Sequence, residues 1–263
     1  MNNLPQEDLQ LCLIQSDIHP VYVEDNLNRY TILLENMQSN PDMIVFPEMF
    51  ACGFSDNVVQ IARDYTVLCL DFLFDISRKY MTDVVASLPV LENGNLYNRL
   101  VYIRDKNIIA QYDKRHLFFG CEKRLFTRGE TKMIVNKSGW NILPLICYDI
   151  RFPNWCRNYY KNDIILYDCL LLIANFPASR SNTLKSLLTA RAIENQSYVI
   201  GLNRTGKDGF GNIHCGNSVV INPFGKIIAE APSYENYLLS VKIERLILDK
   251  LRENFPVYKD WDE

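Results

Sequence analysis

Eight cysteines are spread along the 263 residues, and Cys147 is the one whose setting could support chemistry. In LPLICYDIRFPNW (143–155) it stands where an apolar strand-like run breaks into charge, aromatics and proline. A thiol at a strand-to-helix turn feels the helix dipole, which favours the thiolate, and the following backbone N–H groups are left free to bind an oxyanion. The competing reading is a packed structural thiol, the usual fate of a free cysteine. Two other strand ends carry charge. Glu48 closes DMIVFPE behind a stiffening Pro47; a carboxylate delivered there by a buried strand gains proton affinity and can serve as a general base. Lys114 closes IIAQYDK, where its ammonium could face a developing oxyanion. Each also has a plain structural reading: Glu48 as a paired strand-end charge, Lys114 as one member of a solvated cluster with Asp113, Arg115 and His116. Histidine is scarce, at 19, 116 and 214, so the base for a cysteine nucleophile is expected to be a carboxylate.

The elements that must hold these residues follow from periodicity. LQLCLIQ (9–15), MIVFPE (43–48) and DVVASLPV (83–90) read as strands, separated by helical spacing over 26–40 and 65–80. The turn signals ENGN and DKN then leave no room for helices, so NRLVYIR and IIAQYDK form antiparallel neighbours. KMIVN and WNILPLICYD repeat the hairpin across KSG, and SYVIGLNRTG pairs with SVVINPFGKIIAEA. Between them the pattern predicts a helix in FPNWCRNYYKN (152–162), a strand in DCLLLIANFP (168–177) and a helix over 181–196 capped by Ser181. Two mixed sheets with helices outside them are the expected α/β architecture, an α-β-β-α sandwich formed by one domain spanning 1–263.

DMIVFPEMF, YDKRHLF and LICYDIRFP resemble, in order and spacing, the Glu, Lys and Cys motifs of the nitrilase superfamily of carbon-nitrogen hydrolases. LIANFPASR, LLTARAIENQSYVIGLNRTG and GNSVVINPFGKII extend the resemblance from about Leu9 to Pro256, and CYDIRFPNW with the tail FPVYKDWDE looks most like the omega-amidase branch. The resemblance implies Cys147 as nucleophile, Glu48 as base, Lys114 and the Tyr148 backbone N–H as oxyanion donors, and Glu122, in FGCEKRLFTRG, as a second glutamate. It also implies an amidase of a 2-oxo dicarboxylic acid monoamide such as 2-oxoglutaramate, working without metal or organic cofactor. Arg151 is a candidate for the substrate carboxylate, and Phe176, where the branch usually has Trp, for the pocket wall. A nitrilase, an N-carbamoyl amine hydrolase or a deaminated-glutathione amidase would share the triad; a non-catalytic binding or assembly module would need none of it.

Bulk properties agree with a small-molecule enzyme. A net charge of -3 gives no electrostatic reason to expect nucleic acid or an anionic membrane as partner. The N-terminus lacks the basic start and long apolar core of a secretory signal, and no apolar run approaches the roughly 20 residues of a membrane span, so a cytoplasmic protein is expected. The cysteines show no paired C-x-x-C spacing, which argues against a disulfide framework or a zinc knuckle. The glycines of TGKDGFGN lack the strand-then-helix context of a phosphate loop. The family pairs subunits through helices, so at least a homodimer is expected, with the aromatic WCRNYYKN segment a candidate contact and the polar, aromatic tail lying on the surface or reaching a neighbour.

Overall fold

The computed structural model describes residues 7–261; the expectations for the first six residues and for the last two of the tail lie outside them. The chain runs through β1 (Leu9–Gln15), α1 (Val23–Glu35), β2 (Met43–Val45), α2 (Val58–Asp64), α3 (Thr66–Tyr80), β3 (Asp83–Glu92), β4 (Asn95–Arg104), β5 (Asn107–Asp113) and the short α4 (Cys121–Leu125). It continues through β6 (Val135–Lys137), β7 (Trp140–Ile146), a 3-10 turn (Cys147–Arg151), α5 (Pro153–Cys156), β8 (Tyr160–Lys161), β9 (Ile164–Ile165) and β10 (Cys169–Ala174). After α6 (Ser181–Glu194) come β11 (Tyr198–Asn203), β12 (Thr205–Lys207), β13 (Ile213–Cys215), β14 (Val219–Ile221), β15 (Ile227–Glu230), β16 (Tyr237–Ile243) and α7 (Arg245–Asn254).

Two six-stranded sheets result, in the orders β16-β1-β2-β3-β4-β5 and β15-β14-β11-β10-β7-β6. Both are mixed: β1, β2 and β3 are parallel, as are β7, β10 and β11, and antiparallel strands flank each trio. Alternation along β1 explains the layering. Leu9, Leu11 and Leu13 enter the core shared by the two sheets, while Cys12 and Ile14 join the second core beneath α1 and α3. With both faces covered, the parallel strands read as continuous apolar runs. On the far side α6 lies against β11 through Leu188, and at Gly201 a Cβ would sit 2.4 Å from Leu188 Cδ1. Glycine is what lets helix and sheet approach this closely. The expected α-β-β-α order is thus the observed one.

The predicted hairpins fall where the turn signals stand, with left-handed pairs at Asn93/Gly94, Asp105/Lys106 and Ser138/Gly139. Two local expectations are corrected. The helix predicted over 152–162 stops at Cys156, because the Asn158 side chain bonds both backbone groups of Tyr167, at 2.9 Å to O and 3.1 Å from N. The following residues form the β8–β9 hairpin, turned by left-handed Asn162 and Asp163. An Asn-Asp pair there is a hairpin signal rather than a helix end. Ser181 is the first residue of α6, not its cap: Arg180 occupies that position and no side chain caps the helix. The described part of the tail folds onto its own chain, with Gln196 Nε2 donating to Phe255 O at 2.7 Å and Tyr258 against Tyr160.

The close approach at Gly201 gives a test. Gly201→Ala should cost about 1–3 kcal/mol through overpacking, read as a fall of several degrees in Tm. Combined with Leu188→Ala it should cost less than the two single losses summed, because each change relieves the other; strict additivity would show that the contact does not limit the packing.

Candidate active site

Four strand ends converge. The chain leaving β2 carries Glu48, the residue after β5 is Lys114, the residue after β7 is Cys147, and the residue after β10 is Asn175. All lie just past the carboxyl ends of their strands, where open α/β sheets leave room for a ligand. Two of the turns are backbone-strained: Cys147 has φ +46° and Met49, beside Glu48, has φ +52°. Such residues cost about 1–3 kcal/mol unless the surroundings hold them. Met49 is held by its N–H donating to Ser87 Oγ at 2.9 Å. The Cys147 turn is held by Asp149, whose buried carboxylate accepts Ile146 N–H at 3.1 Å, Tyr112 O–H at 2.7 Å and His116 N–H at 2.9 Å. The Asp149 carboxylate thereby ties the segment after Lys114 to the turn that presents the thiol.

The side chains form one buried polar cluster. Lys114 Nζ donates to Glu48 Oε1 at 2.8 Å and to both oxygens of Glu122, at 2.7 and 2.9 Å. Asn98 Nδ2 donates to Glu48 Oε1 at 2.9 Å and reaches Glu122 Oε1 at 3.4 Å. Asn175 N–H donates to Glu48 Oε2 at 2.8 Å, and Phe118 N–H to Glu122 Oε2 at 2.6 Å. Glu48, Lys114 and Glu122 are all nearly devoid of solvent contact. Burial pushes the Glu48 carboxyl up, Lys114 opposes that shift, and the Glu122 charge adds to it. For Lys114 burial works toward neutrality, but the charges of Glu122 and Glu48 outweigh it and hold the ammonium well above its ordinary range. Cys147 is pushed well above an ordinary thiol, by burial first and then by the Glu48 charge, with Lys114 opposing.

The last direction corrects the sequence expectation. A five-residue 3-10 turn offers little dipole, and burial, with the surrounding carboxylates second, favours the protonated thiol. The thiol is nevertheless within the hydrogen-bonding surroundings of Glu48 and of the Asn175 N–H. A base is present where the proton must go.

These groups open onto a cavity of about 270 Å³ lined by Glu48, Lys114, Glu122, Cys147, Tyr148 and Asn175. Its wall is also aromatic, with Phe54, Phe118, Phe176 and Phe210, and it includes Arg180 and His214. Tyr148 follows Cys147 in the first turn of the 3-10 segment, where backbone N–H groups lack helical partners. Glu122, indistinguishable from surface in the sequence, belongs to α4 and is buried.

Among the predicted pocket residues, Phe176 lines the cavity. Arg151 is not among the lining residues; its Cζ lies 6.0 Å from the centroid of the Phe176 ring. His116 stacks on Phe152 with ring centroids 3.7 Å apart and bonds Asp149 at 2.8 Å, which makes it part of the support. His214 sits on the cavity wall, 3.2 Å from Asp208, whose carboxyl is at about 2: burial would raise it, but bonds from His214 and Asn212 prevail.

Sequence reasoning missed Asn98, Asp149, Arg180 and the whole β12–β13 hairpin that supplies Asp208, Phe210, Asn212 and His214 to the wall. For Asn98 a signal existed, since a polar amide inside a buried strand demands a partner. For the hairpin none did, because its glycine-rich turn has no periodicity.

Comparison with known proteins gives the family. A family model described as carbon-nitrogen hydrolase matches residues 11–252. Omega-amidase YafV of Escherichia coli (strain K12) is 38% identical over 258 residues, covering 97% of each chain. The 2-oxoglutaramate amidase of Bacillus subtilis (strain 168) is 32% identical over 252 residues, 94% of this chain and 95% of its own. A CN-hydrolase superfamily protein of Xanthomonas campestris, solved with an arsenic adduct in its active site, matches with a TM-score of 0.93 at 31% identity, over 97% of this chain and 98% of that one. An amidase from Nesterenkonia sp. shares the fold, with a TM-score of 0.81 at 22% identity over 98% of both chains. With a family model covering most of its length and full-length relatives above 30% identity, the chain belongs to the carbon-nitrogen hydrolase family, in the omega-amidase branch of the nitrilase superfamily.

Proposed function

We propose that this hydrolase is an omega-amidase that cleaves the terminal amide of a small 2-oxo dicarboxylic acid monoamide of the 2-oxoglutaramate type. The observation that carries the reading is the meeting of Cys147, Glu48, Lys114 and Glu122 in one small, mostly apolar cavity; the full-length likeness to an omega-amidase and a 2-oxoglutaramate amidase supports the substrate class. In the proposed reaction Sγ of Cys147 attacks the amide carbonyl while Glu48 takes the thiol proton. The oxyanion is held by the Tyr148 backbone N–H and by Lys114. One ammonium N–H bonds Glu48 and another can be shared by the two oxygens of Glu122, which leaves the third for the oxyanion. As the tetrahedral species collapses, Glu48 returns the proton to the leaving nitrogen and ammonia departs. Glu48 then takes a proton from water, the resulting nucleophile opens the thioester, and the acid leaves as Cys147 recovers its proton. Glu122 fixes Lys114 and, through Asn98, Glu48. The proposed chemistry uses only side chains and backbone of the protein.

We take the chain, 1–263, as one hydrolase domain acting in the cytoplasm as at least a homodimer. No helix among the described residues is long and apolar enough to cross a membrane. Tyr159, in the segment named above as a contact, stays exposed, while Trp155 beside it is tied down by its Nε1–H donating to Tyr112 Oη at 3.0 Å. Light scattering should return at least twice the 30.6 kDa chain mass, and a monomer at working concentration would refute the dimer.

The substrate assignment is tested by ammonia release from 2-oxoglutaramate, with nitriles, N-carbamoyl amines and deaminated glutathione in parallel. The oxo-amide should be preferred; silence on it with turnover of another class would overturn the choice while leaving the family intact. Cys147→Ala should lower kcat by at least about 1,000-fold, and a folded variant of near-parental activity would remove the nucleophile.

The pH profile follows from Glu48. Its carboxyl is raised, so on acidification the charged base form is lost at a higher pH than in an ordinary glutamate. The rate should therefore fall as pH drops, with the midpoint of the acid limb above 4.5. Glu48→Gln should lose at least about 100-fold and abolish that limb; a limb that persists unchanged in the variant would assign it to another group.

A further inference from the structure

We propose that Arg180 is the residue that reads the substrate's far carboxylate, making the enzyme selective for amides with an anion at the other end of a short chain. The inference deepens the functional reading above and rests on it. Two full cations line the cavity, Lys114 and Arg180. Lys114 is already ion-paired with Glu48 and Glu122 and is assigned to the oxyanion. Arg180 differs: among the described residues its guanidinium has no carboxylate partner, and it lies over two aromatic rings. Its Cζ lies over the Phe118 ring at 5.0 Å and over the Phe176 ring at 5.8 Å from the centroids.

That setting is chemically specific. Aromatic faces stabilise a guanidinium through the cation–π attraction but accept none of its in-plane hydrogen bonds. The fork of N–H donors at its edge matches a carboxylate in a bidentate manner. Phe118 and Phe176 also line the cavity, so the rings that hold the cation are walls of the same space that contains the thiol.

The backbone fixes the placement. Arg180 ends the 3-10 turn Ala178–Arg180 and immediately precedes α6, with its N–H donating to Pro177 O at 3.0 Å. That turn leaves β10 through Asn175, whose N–H holds Glu48. One short segment, 175–180, thus contributes a support for the base, an aromatic wall and the anion receptor, and fixes their relative position. The same cavity is thus lined by the oxyanion donors, by a second cation and by aromatic wall that suits intervening methylenes. A neutral amide would leave the Arg180 donors facing an apolar chain end.

The test uses five-carbon amides that differ only in the far group: glutaramate, with a carboxylate, and pentanamide, with a methyl. Each is assayed against the parent enzyme, Arg180→Lys and Arg180→Met, the methionine retaining an aliphatic stem against both rings. The parent should favour glutaramate, and in Arg180→Met that preference, taken as a ratio of kcat/KM values, should shrink about 100-fold, mostly through KM. Arg180→Lys should keep part of it, because it restores the charge without the fork. A parent with no preference for the anion, a methionine variant that loses both substrates in equal proportion, or one that handles glutaramate as well as the parent would each overturn the assignment. Including 2-oxoglutaramate separates the two readings: if it is turned over no better than glutaramate, the 2-oxo specificity falls while the Arg180 result stands or falls by its own ratio.

Discussion

Everything at the site depends on an unequal burial of charge: two carboxylates, Glu48 and Glu122, share a single ammonium, Lys114, almost entirely out of water. Taking ions out of water costs several kcal/mol for each, and only close opposite charge with good hydrogen bonds offsets it. Glu122 claims the ammonium with both oxygens and also accepts a backbone N–H from Phe118, so its charge is well compensated. Glu48 has one oxygen on the same ammonium and one on the Asn175 N–H, and it bears the repulsion of Glu122. The asymmetry decides the division of labour. The better-compensated carboxylate is an anchor, and the one whose proton affinity is raised is suited to collect and return a proton. Removing Lys114 would leave both carboxylates uncompensated, which makes the lysine as much a condition of folding as a participant in the proposed reaction.

That cluster could not form on a regular sheet, since its members come from strands of both sheets and from α4. The fold solves the problem with tethers that cross between elements. Asp149 joins the Cys147 turn to the segment after Lys114, and Asn175 joins the end of β10 to Glu48 with its backbone N–H and, through Nδ2, to the Glu48 carbonyl at 3.0 Å. The strain stored at Cys147 and Met49 is held by these and by Ser87. A left-handed cysteine is unfavourable in isolation, but it turns the chain sharply enough to end the strand and still aim the sulfur into the cavity. The cost is borne by the buried hydrogen bonds of Asp149, a residue with no contact to the reacting groups in the proposed mechanism.

How far the sequence reveals this follows from the range of each interaction. The strands, the hairpins at ENGN, DKN and KSG, and the strand-end positions of Glu48, Lys114 and Cys147 are local properties, and local periodicity and turn chemistry expose them. The helix expected through residue 162 failed because Asn158 finds its partner at Tyr167, nine residues away, and a short aromatic run has no periodicity of its own to announce that. Glu122 is opaque for the same reason: its charge looks like surface until Lys114 and Phe118 surround it. The thiol's proton affinity is not legible from the strand-to-helix turn alone, since the burial that raises it, and then the carboxylates arriving from beyond β2 and from α4, are tertiary. Family motifs identify the residues, but only the tertiary arrangement fixes their protonation.

Selectivity draws on a different part of the molecule from the chemistry, and the physical reason lies in what each must tolerate. The Glu–Lys–Glu–Cys cluster is closed by mutual bonds, so almost any change within it leaves a buried charge or donor unpaired. The cavity wall is built from rings and from the β12–β13 hairpin, where substitution alters shape or a single rim charge without breaking a buried network. A fold organised this way can hold one acyl-transfer apparatus fixed while the wall changes which amide reaches it. In this chain the wall pairs Arg180 with Phe118 and Phe176, so the cation is kept in place by apolar contacts and its hydrogen-bonding edge is left for the substrate. Discrimination of this kind is strong because a receptor left without its anion pays for unpaired donors, whereas an apolar pocket distinguishes one methyl from another only weakly.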